Sequence, residues 1–446
     1  MASDMLQIAT SGVRAARTAL DVTSQNIANA SNEGYIRRSV RLGEVALSAG
    51  FGRIGEFSLS GVRVDGLIRN ADAFRQSEVR RTGSDAARAG IELSAYQNVE
   101  AALEFSQLFP SLTAFENSLQ RLVTDPVDPS LRTAVIEAAR TLARTFGLAA
   151  DGLDTVGEGL RFDTAAGVGQ VNLLAGQLGQ LNVQLARTQP GSSDQAALMD
   201  RRDAVLKALS NHADIDTDFA ANQTVAVRIG GAGGPLLVSG VTVDTLTMAT
   251  AGDGTLSFAL ATGGPVTLAA GSLAGAAQGT VMVRDSKAGL GGVADNLIAT
   301  ANAAQGAGVA LDGNPGQPLF SGSGAAGIAL ALSAGAGIAT APAGSPAGSR
   351  DPANLAALRT ALDGADVSGQ LSALLFTVSS AAQGRRTTSE ALGTIAAAAK
   401  LAFDSQAGVN LDEEAVNLVR FQQAFQASSK AIQVAADLFD TLLAIR

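Results

Sequence analysis

The chain has 446 residues, no cysteine, and a formal net charge of −9 from 41 acidic and 32 basic residues. The missing cysteine excludes disulfides, thiolate metal sites and a cysteine nucleophile, and the acidic balance provides no basic face for nucleic acid or anionic lipid. Aromatic residues make up only 4% of the chain, so we expect cores built mainly from alanine, leucine and valine, in roughly three domains.

The first residues, MASDMLQIAT, lack the basic segment followed by an apolar segment that is typical of a cleaved signal peptide. The uncharged run 313–349 is interrupted throughout by glycine, serine and proline. It is therefore interpreted as a turn-rich segment, and no membrane insertion is expected.

An amphipathic helix is expected at the N-terminus because apolar residues recur every seven positions. The first column of this seam is Leu6, Val13, Leu20 and Ile27, and alanines at 9, 16 and 30 fill the neighbouring column. Asn26 and Asn29 then lead into a turn that contains Gly34, where the helix ends.

The middle of the chain alternates between helical and strand patterns. A two-residue period predicts a β-hairpin near 37–70, and helical periodicity predicts helices at 71–105, 112–123, 131–146, 160–187 and 194–210. Six β-branched runs over 215–283 predict a small antiparallel β domain, the last run being GTVMVRD. Helices are expected again at 287–305, 354–362 and 371–403.

A longer heptad pattern covers the C-terminus. Its first column is Leu411, Leu418, Phe425, Ile432 and Phe439, and a second column four residues on is Ala415, Gln422, Ser429, Ala436 and Leu443. Gln422 and Ser429 interrupt this second column, and the hypothesis is that they fix the register of the packed helices.

A helix with one apolar side is stabilised mainly by packing that side against another helix. The two seams could pair with each other, or with neighbouring subunits, as coiled coils. Periodicity leaves a second interpretation equally open, in which each is an ordinary core helix of one domain.

No catalytic, cofactor or metal site is expected. The single histidine, His212, has no nucleophile motif around it and is interpreted as a surface loop residue. Asp214, Asp216 and Asp218 have the spacing of a calcium loop, but Phe219 and Val225 occupy the positions that need Gly and Glu.

Two further patterns also have simpler interpretations. The GxGxxA pattern of Gly289, Gly291 and Ala294 lacks the βαβ context of a dinucleotide site and is interpreted as a flexible helix entry. The run of acids at 412–414 is interpreted as the first turn of a helix, capped by Asn410, rather than as a metal site.

Several segments resemble those of flagellar axial proteins. LDVTSQNIANASNEGYIRR resembles the N-terminal motif of rod, hook and hook-associated proteins, which maps onto Leu20, Asn26, Ile27, Ala28, Asn29, Gly34 and Tyr35. Family members often have Thr-Pro-Gly where this chain has Asn32, Glu33 and Gly34, so the turn is less fixed, although Gly34 keeps its backbone freedom.

Other segments resemble the hook-associated protein 1 family in particular. These are LMDRRDAVLKALS, NAAQGAGVALDGNPGQPLF and GVNLDEEAVNLVRFQQAFQASSKAI. The resemblance implies a non-enzymatic subunit, exported to the extracellular flagellum without a cleaved signal, that forms a ring at the hook–filament junction. It also implies three kinds of partner besides further copies of the chain, namely hook protein, hook-associated protein 3 and an export chaperone.

The predicted architecture is mainly α with an inserted antiparallel β domain, a long helical-bundle body and terminal helices that pair as a coiled coil. The expected parts are a terminal assembly domain (1–35 and 404–446), a helical body (36–210 and 284–403) and the β domain (211–283). The expected assembly residues are Leu6, Val13, Leu20, Asn26, Ile27, Asn29, Gly34, Tyr35, Leu411, Leu418, Phe425, Ile432, Phe439 and Leu443. Another axial subunit (hook or rod protein) is the alternative function, followed by a surface adhesin, and an enzyme such as a wall hydrolase comes last.

Overall fold

A computed structural model describes residues 2–32, 34–46 and 59–444 of the chain. The helices are α1 (Ala2–Asn29), α2 (Ala73–Phe105), α3 (Leu108–Thr124), α4 (Pro129–Arg187), α5 (Ser193–His212), α6 (Ser272–Gly306), α7 (Gly324–Gly327), α8 (Ala353–Ala365), α9 (Val367–Ala407) and α10 (Leu411–Ala444). Strands β1 (Arg38–Ala46) and β2 (Leu59–Arg69) precede the body. The remaining strands are β3 (Ile215–Phe219), β4 (Val225–Ile229), β5 (Leu236–Ser239), β6 (Thr242–Val243), β7 (Leu246–Thr250), β8 (Leu256–Leu260), β9 (Gly264–Val266), β10 (Gly308–Val309), β11 (Phe320–Ser321), β12 (Ala329–Leu330) and β13 (Ala341–Pro342).

The two terminal helices pack against each other in antiparallel orientation. A Cβ atom added at Gly12 of α1 would lie 2.8 Å from Ser428 Oγ of α10, so the backbone of α1 comes close to α10 here. At the other end of the pair, Arg37, just beyond α1, binds Glu414 in the first turn of α10. The predicted pairing of the termini is confirmed, and it occurs within one chain.

The strands β1 and β2 form an antiparallel ribbon along α1, as the two-residue period predicts. The Val62 amide donates a hydrogen bond of 3.1 Å to Ser11 Oγ of α1. A Cβ atom at Gly61 would overlap that same hydroxyl, and Gly61 has φ of +91°, so glycine serves both the close approach and the backbone conformation.

The helical body has one core, which takes side chains from α2, α3, α4, α6, α8 and α9. Phe115 and Phe320 meet edge to face in it, with ring centroids 6.0 Å apart. Arg132 of α4 is 1% exposed and donates to the carbonyls of Pro126, Gly335 and Ile338, and so ties the turn-rich segment to the core. The mainly α architecture is confirmed.

The prediction of two helices between 131 and 187 is wrong, because α4 is one helix of 59 residues. Glycines at 147, 152, 157 and 159 lie between the two predicted helices, and glycine disfavours helix. Packing outweighs that preference: Ala149, Ala150 and Leu153 are buried, and the start is fixed by Asp128, whose side chain accepts a hydrogen bond from the Leu131 amide, with Pro129 in the first turn.

Two other predicted boundaries are also wrong. Helix α3 begins at Leu108, before Pro110, because proline is tolerated in a first turn, where the amide needs no intrahelical partner. The run GTVMVRD is not a strand but part of α6, which starts at Ser272. Gly289, Gly291 and Ala294 lie in the middle of α6 and not at a helix entry.

The predicted antiparallel β region is present as two small sheets, with strand orders β3-β4-β5-β6 and β7-β8-β9. Its core is shared with α4, α5 and α6, since Leu178 and Leu206 pack with Val227 and Phe258. Asn182 of α4, 1% exposed, donates to the carbonyls of Val225 and Gly240 and accepts from the Val225 amide. The sheets are therefore fixed to the helical body.

Candidate functional site

The connector between α1 and the ribbon is held by one buried asparagine. Asn26 Nδ2 donates to the Arg38 carbonyl at 2.8 Å, and its Oδ1 accepts from the Arg38 amide and from the Tyr35 hydroxyl. Gly34 supplies a φ of +83° in the turn between them. Burial raises the pKa of Tyr35, so its hydroxyl stays protonated and available as a donor.

Arginines at the base of the ribbon bind acids on α5. Arg38 and Arg69 are opposite each other in the β1–β2 register, and both guanidinium groups bind Asp200, at 2.8 and 2.9 Å. Arg69 also binds Asp203 at 2.7 Å. Two like charges directly opposite each other would destabilise the ribbon, and the carboxylates compensate them.

The pKa values of Asp200 and Asp203 shift in opposite directions because the charges around the two carboxylates differ. Burial raises the pKa of Asp200 more strongly than Arg69 and Arg38 lower it. Burial also works to raise the pKa of Asp203, but the charges and hydrogen bonds of Arg202 and Arg69 outweigh it and lower that pKa.

A third arginine, Arg37 of the connector, binds the start of α10. Arg37 Nε lies 2.6 Å from Glu414, and Arg37 Nη1 lies 2.9 Å from Glu413. The Glu414 side chain is only 2% exposed. Asn410 Oδ1 accepts a hydrogen bond of 3.0 Å from the Asp412 amide, which confirms the predicted cap of α10.

These ion pairs form one site, the charged junction, where α1, the ribbon, α5 and α10 are tied together. Its charged members are Arg37, Arg38, Arg69, Asp200, Asp203, Glu413 and Glu414. A cavity of about 390 Å³ lies beside it, between α2, α5, α9 and the connector. Each arginine is more than 130 residues along the chain from the acids that it binds, so the junction exists only in the folded chain.

The predicted assembly residues fall into two groups. Asn26 and Tyr35 belong to the connector, and Asn29 accepts a hydrogen bond from the Asn32 side chain at 2.6 Å. In the first seam columns, the side chains in the middle of the two helices are half-buried and those near the ends are exposed. Half-buried are Val13, Leu20, Ile27, Leu418, Phe425 and Ile432, exposed are Leu6, Leu411 and Phe439, and the side chain of Leu443 lies outside the described residues.

The second seam column of α10 was predicted one residue too far along the helix. Ala415, Gln422 and Ala436 are exposed, and Ser429 is half-buried. Of the residues one position earlier, Glu414 and Ala435 are buried and Phe421 and Ser428 are half-buried. A column containing a glutamate and a serine is unfavourable in an isolated seam. Arg37 neutralises the glutamate, and Gly12 leaves room for the serine. Gln422 therefore does not fix the register of this pair.

An apolar surface remains uncovered on the terminal pair. Its large exposed side chains are Met5, Leu6, Ile8, Leu411, Val416, Val419, Val434, Leu438 and Phe439. Apolar side chains this numerous on one helix pair are typical of a surface that another protein covers.

The other candidate sites behave as structural residues. His212 ends α5, so the interpretation as a surface loop residue is wrong. It is half-buried, 3.3 Å from Ser272 Oγ, and burial lowers its pKa. Asp214 accepts a hydrogen bond from the Ala269 amide at 3.1 Å, and Asp216 and Asp218 are in β3, not in a metal-binding loop.

In residues 2–32, 34–46 and 59–444, no cluster of three or more His, Asp or Glu side chains has a metal-binding arrangement. Within the same part of the chain, no helix combines the length and apolarity required to cross a bilayer.

Comparison with known proteins identifies the family of the helical body. The family model described as "Flagellar hook-associated protein FlgK helical domain" matches residues 93–320, about half of the chain. The chain belongs to the flagellar hook-associated protein FlgK family. The two ends match models of other flagellar proteins: residues 6–35 match "Flagella basal body rod protein", and residues 402–445 match "Flagellar basal body rod FlgEFG protein C-terminal".

Relatives of known sequence agree with the FlgK assignment. The chain is 31% identical over 252 residues to flagellar hook-associated protein 1 of Salmonella typhimurium, covering 55% of the chain and 44% of the relative. It is 28% identical over 240 residues to the Bacillus subtilis protein of that name, covering 50% and 47%. The chain thus matches less than half of the length of these relatives.

A solved structure, the flagellar hook junction protein FlgK from Burkholderia pseudomallei, is also similar. It is 23% identical, with a TM-score of 0.48, and the match covers 55% of this chain and 47% of that one.

The charged junction explains why three motifs of this FlgK-family chain contain charged residues. Arg37 and Arg38 come from the N-terminal motif, Asp200 and Asp203 from LMDRRDAVLKALS, and the two glutamates from DEE. Sequence reasoning missed that they meet. One signal was available, since the predicted hairpin places Arg38 opposite Arg69 and so requires nearby acids.

Proposed function

We propose that this FlgK-family chain is a structural adaptor at the hook–filament junction of the flagellum, where copies form a ring through their terminal helices. The observation that carries the proposal is the uncovered apolar surface on α1 and α10. Burying such side chains against neighbouring subunits is favourable by about 25 cal/mol per Å² of apolar surface.

The charged junction supports the proposal because it joins the terminal pair to the body. Arg37 binds α10, Arg38 and Arg69 bind α5, and Asn26 holds the connector between them. Contacts made by the terminal helices with neighbours are therefore transmitted to the body. Partners on this proposal are further copies, hook protein on one side, hook-associated protein 3 on the other, and an export chaperone before assembly.

A second candidate function is a hook or rod subunit. This function is favoured by the two ends of the chain, which both match models of rod proteins. The terminal helices alone therefore do not distinguish one class of axial protein from another. The match of residues 93–320 to the FlgK helical domain favours the junction instead.

Immunogold electron microscopy of the tagged chain in its native cells tests the choice. An epitope inserted at Gly252, in the exposed turn between β7 and β8, lies away from the terminal helices. We expect gold at the boundary of hook and filament. Gold along the hook or at the rod would select the second candidate, and gold absent from the flagellum would reject both.

The same tagged chain carrying Ala435→Asp is a control for the role of the terminal pair. Ala435 is 2% exposed in the pair, so a charge there separates the two helices. We expect the variant to lose gold at the boundary while its body stays folded.

A further inference from the structure

A cleft lies between α1 and the ribbon, on a side of α1 that α10 does not cover. It has a volume of about 650 Å³, and Ala15, Val62 and Val64 contribute apolar surface to it. Among the described residues, its charged lining is Arg14, Arg17 and Arg63, with one carboxylate, that of Asp21. The cleft is therefore basic, although the chain as a whole carries a charge of −9.

The arginines of the cleft are available to an outside carboxylate. Arg14 and Arg17 are exposed, and neither has an acid within 4.0 Å among residues 2–32, 34–46 and 59–444. Arg63 binds Asp65, but that pair is exposed at Arg63 and contributes little. Partly apolar walls strengthen the attraction for a partner charge relative to open water.

The other end of the terminal pair presents a matching set of charges. Asp437 and Asp440 of α10 are exposed and beside the exposed Leu438. Arg14 and Arg17 are three residues apart on α1, and Asp437 and Asp440 are three residues apart on α10. Each pair therefore lies on one helix face with a rise of about 4.5 Å, so two crossing helices can align both ion pairs.

Asp437 of the same chain cannot reach this cleft. Gly12 lies against Ser428 in the antiparallel pair, and Asp437 is nine residues beyond Ser428, in the direction away from Arg14. Nine helical residues extend about 13 Å. The carboxylates therefore lie beside the first turn of α1, exposed at the end of the terminal pair and far from Arg14.

We propose that the cleft receives residues 437–440 of a second copy of this chain, with Arg14 and Arg17 paired to Asp437 and Asp440. This inference rests on the proposed function, because it supplies the contact by which successive subunits engage. Leu438 enters against Ala15, Val62 and Val64, and the two ion pairs set the register between copies.

Charge reversal in native cells tests the contact. We expect Arg14→Glu/Arg17→Glu, and separately Asp437→Arg/Asp440→Arg, each to lower incorporation into flagella at least about tenfold, because like charges then face each other. A chain carrying all four changes restores the pairs with opposite sign, so incorporation recovers. Arg144→Glu, on an exposed face of α4, is the control and incorporates normally.

Disulfide capture tests the geometry, since the chain has no cysteine of its own. Thr18→Cys lines the cleft and Leu438→Cys is on the exposed end of α10. Flagella assembled from a mixture of the two single variants should give a disulfide-linked dimer on oxidation, and flagella from either variant alone should not.

The outcomes separate the two proposals. A chain that is folded and present at the hook–filament boundary, but gives no linked dimer and no recovery in the fourfold variant, overturns the contact and leaves the adaptor function standing. A wild-type chain absent from the flagellum overturns the adaptor function, and the contact with it.

Discussion

Glu414 is the buried carboxylate of the charged junction, and its cost of burial is compensated by one arginine. Its side chain is 2% exposed and lies 2.6 Å from Arg37 Nε, whereas the neighbouring Glu413 is 58% exposed. An exposed pair gains little because water screens it, while loss of a buried partner leaves a charge or a donor unsatisfied. The two glutamates therefore form a matched pair for measurement.

We expect Glu414→Gln to lower the free energy of opening of α10 by about 1–2 kcal/mol, because Arg37 loses its buried ionic partner. Hydrogen exchange of the α10 amides measures this opening. Glu413→Gln is the control, with an expected loss below about 0.5 kcal/mol. Equal losses in the two variants would show that burial does not determine the strength of this contact.

At the scale of elements, glycine has two opposite effects in the long helices. It allows a neighbouring helix to approach closely, but it disfavours the helical conformation. A Cβ atom at Gly147 or Gly159 of α4 would meet no atom within 4 Å. A Cβ atom at Gly279 of α6 would lie 2.8 Å from the Ala95 Cβ of α2. Glycine is thus required by packing at the last position and not at the other two.

We expect Gly147→Ala and Gly159→Ala each to raise the free energy of unfolding by about 0.5–1 kcal/mol, because alanine favours helix and nothing obstructs its methyl group. Gly279→Ala should lower it, because the helices must move apart. Urea unfolding followed by circular dichroism gives all three values. Stabilisation by Gly279→Ala would contradict the close packing of α2 and α6.

The seam of α10 provides a second test at this scale. Gln422 is exposed and Ala435 is 2% exposed. We expect Gln422→Leu to change the stability of the terminal pair by less than about 0.5 kcal/mol, and Ala435→Gln to lower it by at least about 1 kcal/mol, because an amide enters a tight helix contact. Hydrogen exchange in α1 and α10 distinguishes them. Stabilisation by Gln422→Leu would restore the column that the sequence predicted.

Periodicity predicts which elements exist here better than where they end. The terminal helices, the ribbon and the antiparallel sheets follow from spacing and β-branched runs, since these report which face is buried. The unbroken α4 does not follow, because Gly152 and Gly157 lie against Ala102 and Val283 of other helices, which no local window contains. GTVMVRD has strand propensity, yet Val283 packs in the helical core as part of α6, an example of tertiary packing overriding propensity.

At the scale of the whole molecule, the candidate site is a meeting of distant segments. Sequence reasoning found its motifs and the cap at Asn410, but not the ion pairs between them, because pairing depends on the relative placement of α5, the ribbon and α10. The second seam column of α10 could also not be predicted exactly. It contains Glu414, which is unfavourable in a seam unless Arg37 neutralises it. The charged residues within the helices therefore did not predict the site, because their partners are known only from the structure.

His212 gives the folded chain a pH dependence that a single substitution can isolate. Burial lowers its pKa from the ordinary value of 6.5. A histidine with a lowered pKa in the folded state stabilises the fold above 6.5, and that contribution is lost as pH falls from 6.5 toward the folded pKa, because the unfolded chain takes up the proton first.

We expect the unfolding midpoint of the wild-type chain in urea to decrease as pH falls below 6.5, and His212→Gln to remove that part of the decrease. As the chain has one histidine, its ring signals in proton NMR give the folded pKa without ambiguity. A folded pKa above 6.5 would reverse the sign of the effect and contradict the burial of the ring.

The length of α4 has a mechanical consequence. Its 59 residues span about 88 Å. One end is joined to the turn-rich segment through Arg132, and just past the other end the Gly191 carbonyl accepts a hydrogen bond from Leu67 of the ribbon. If α4 turns as one rigid body, a tilt of about 5° at the ribbon displaces its far end by about 8 Å. The length of α4 would thus amplify a small rotation at the ribbon into a large displacement at the other end of the helix.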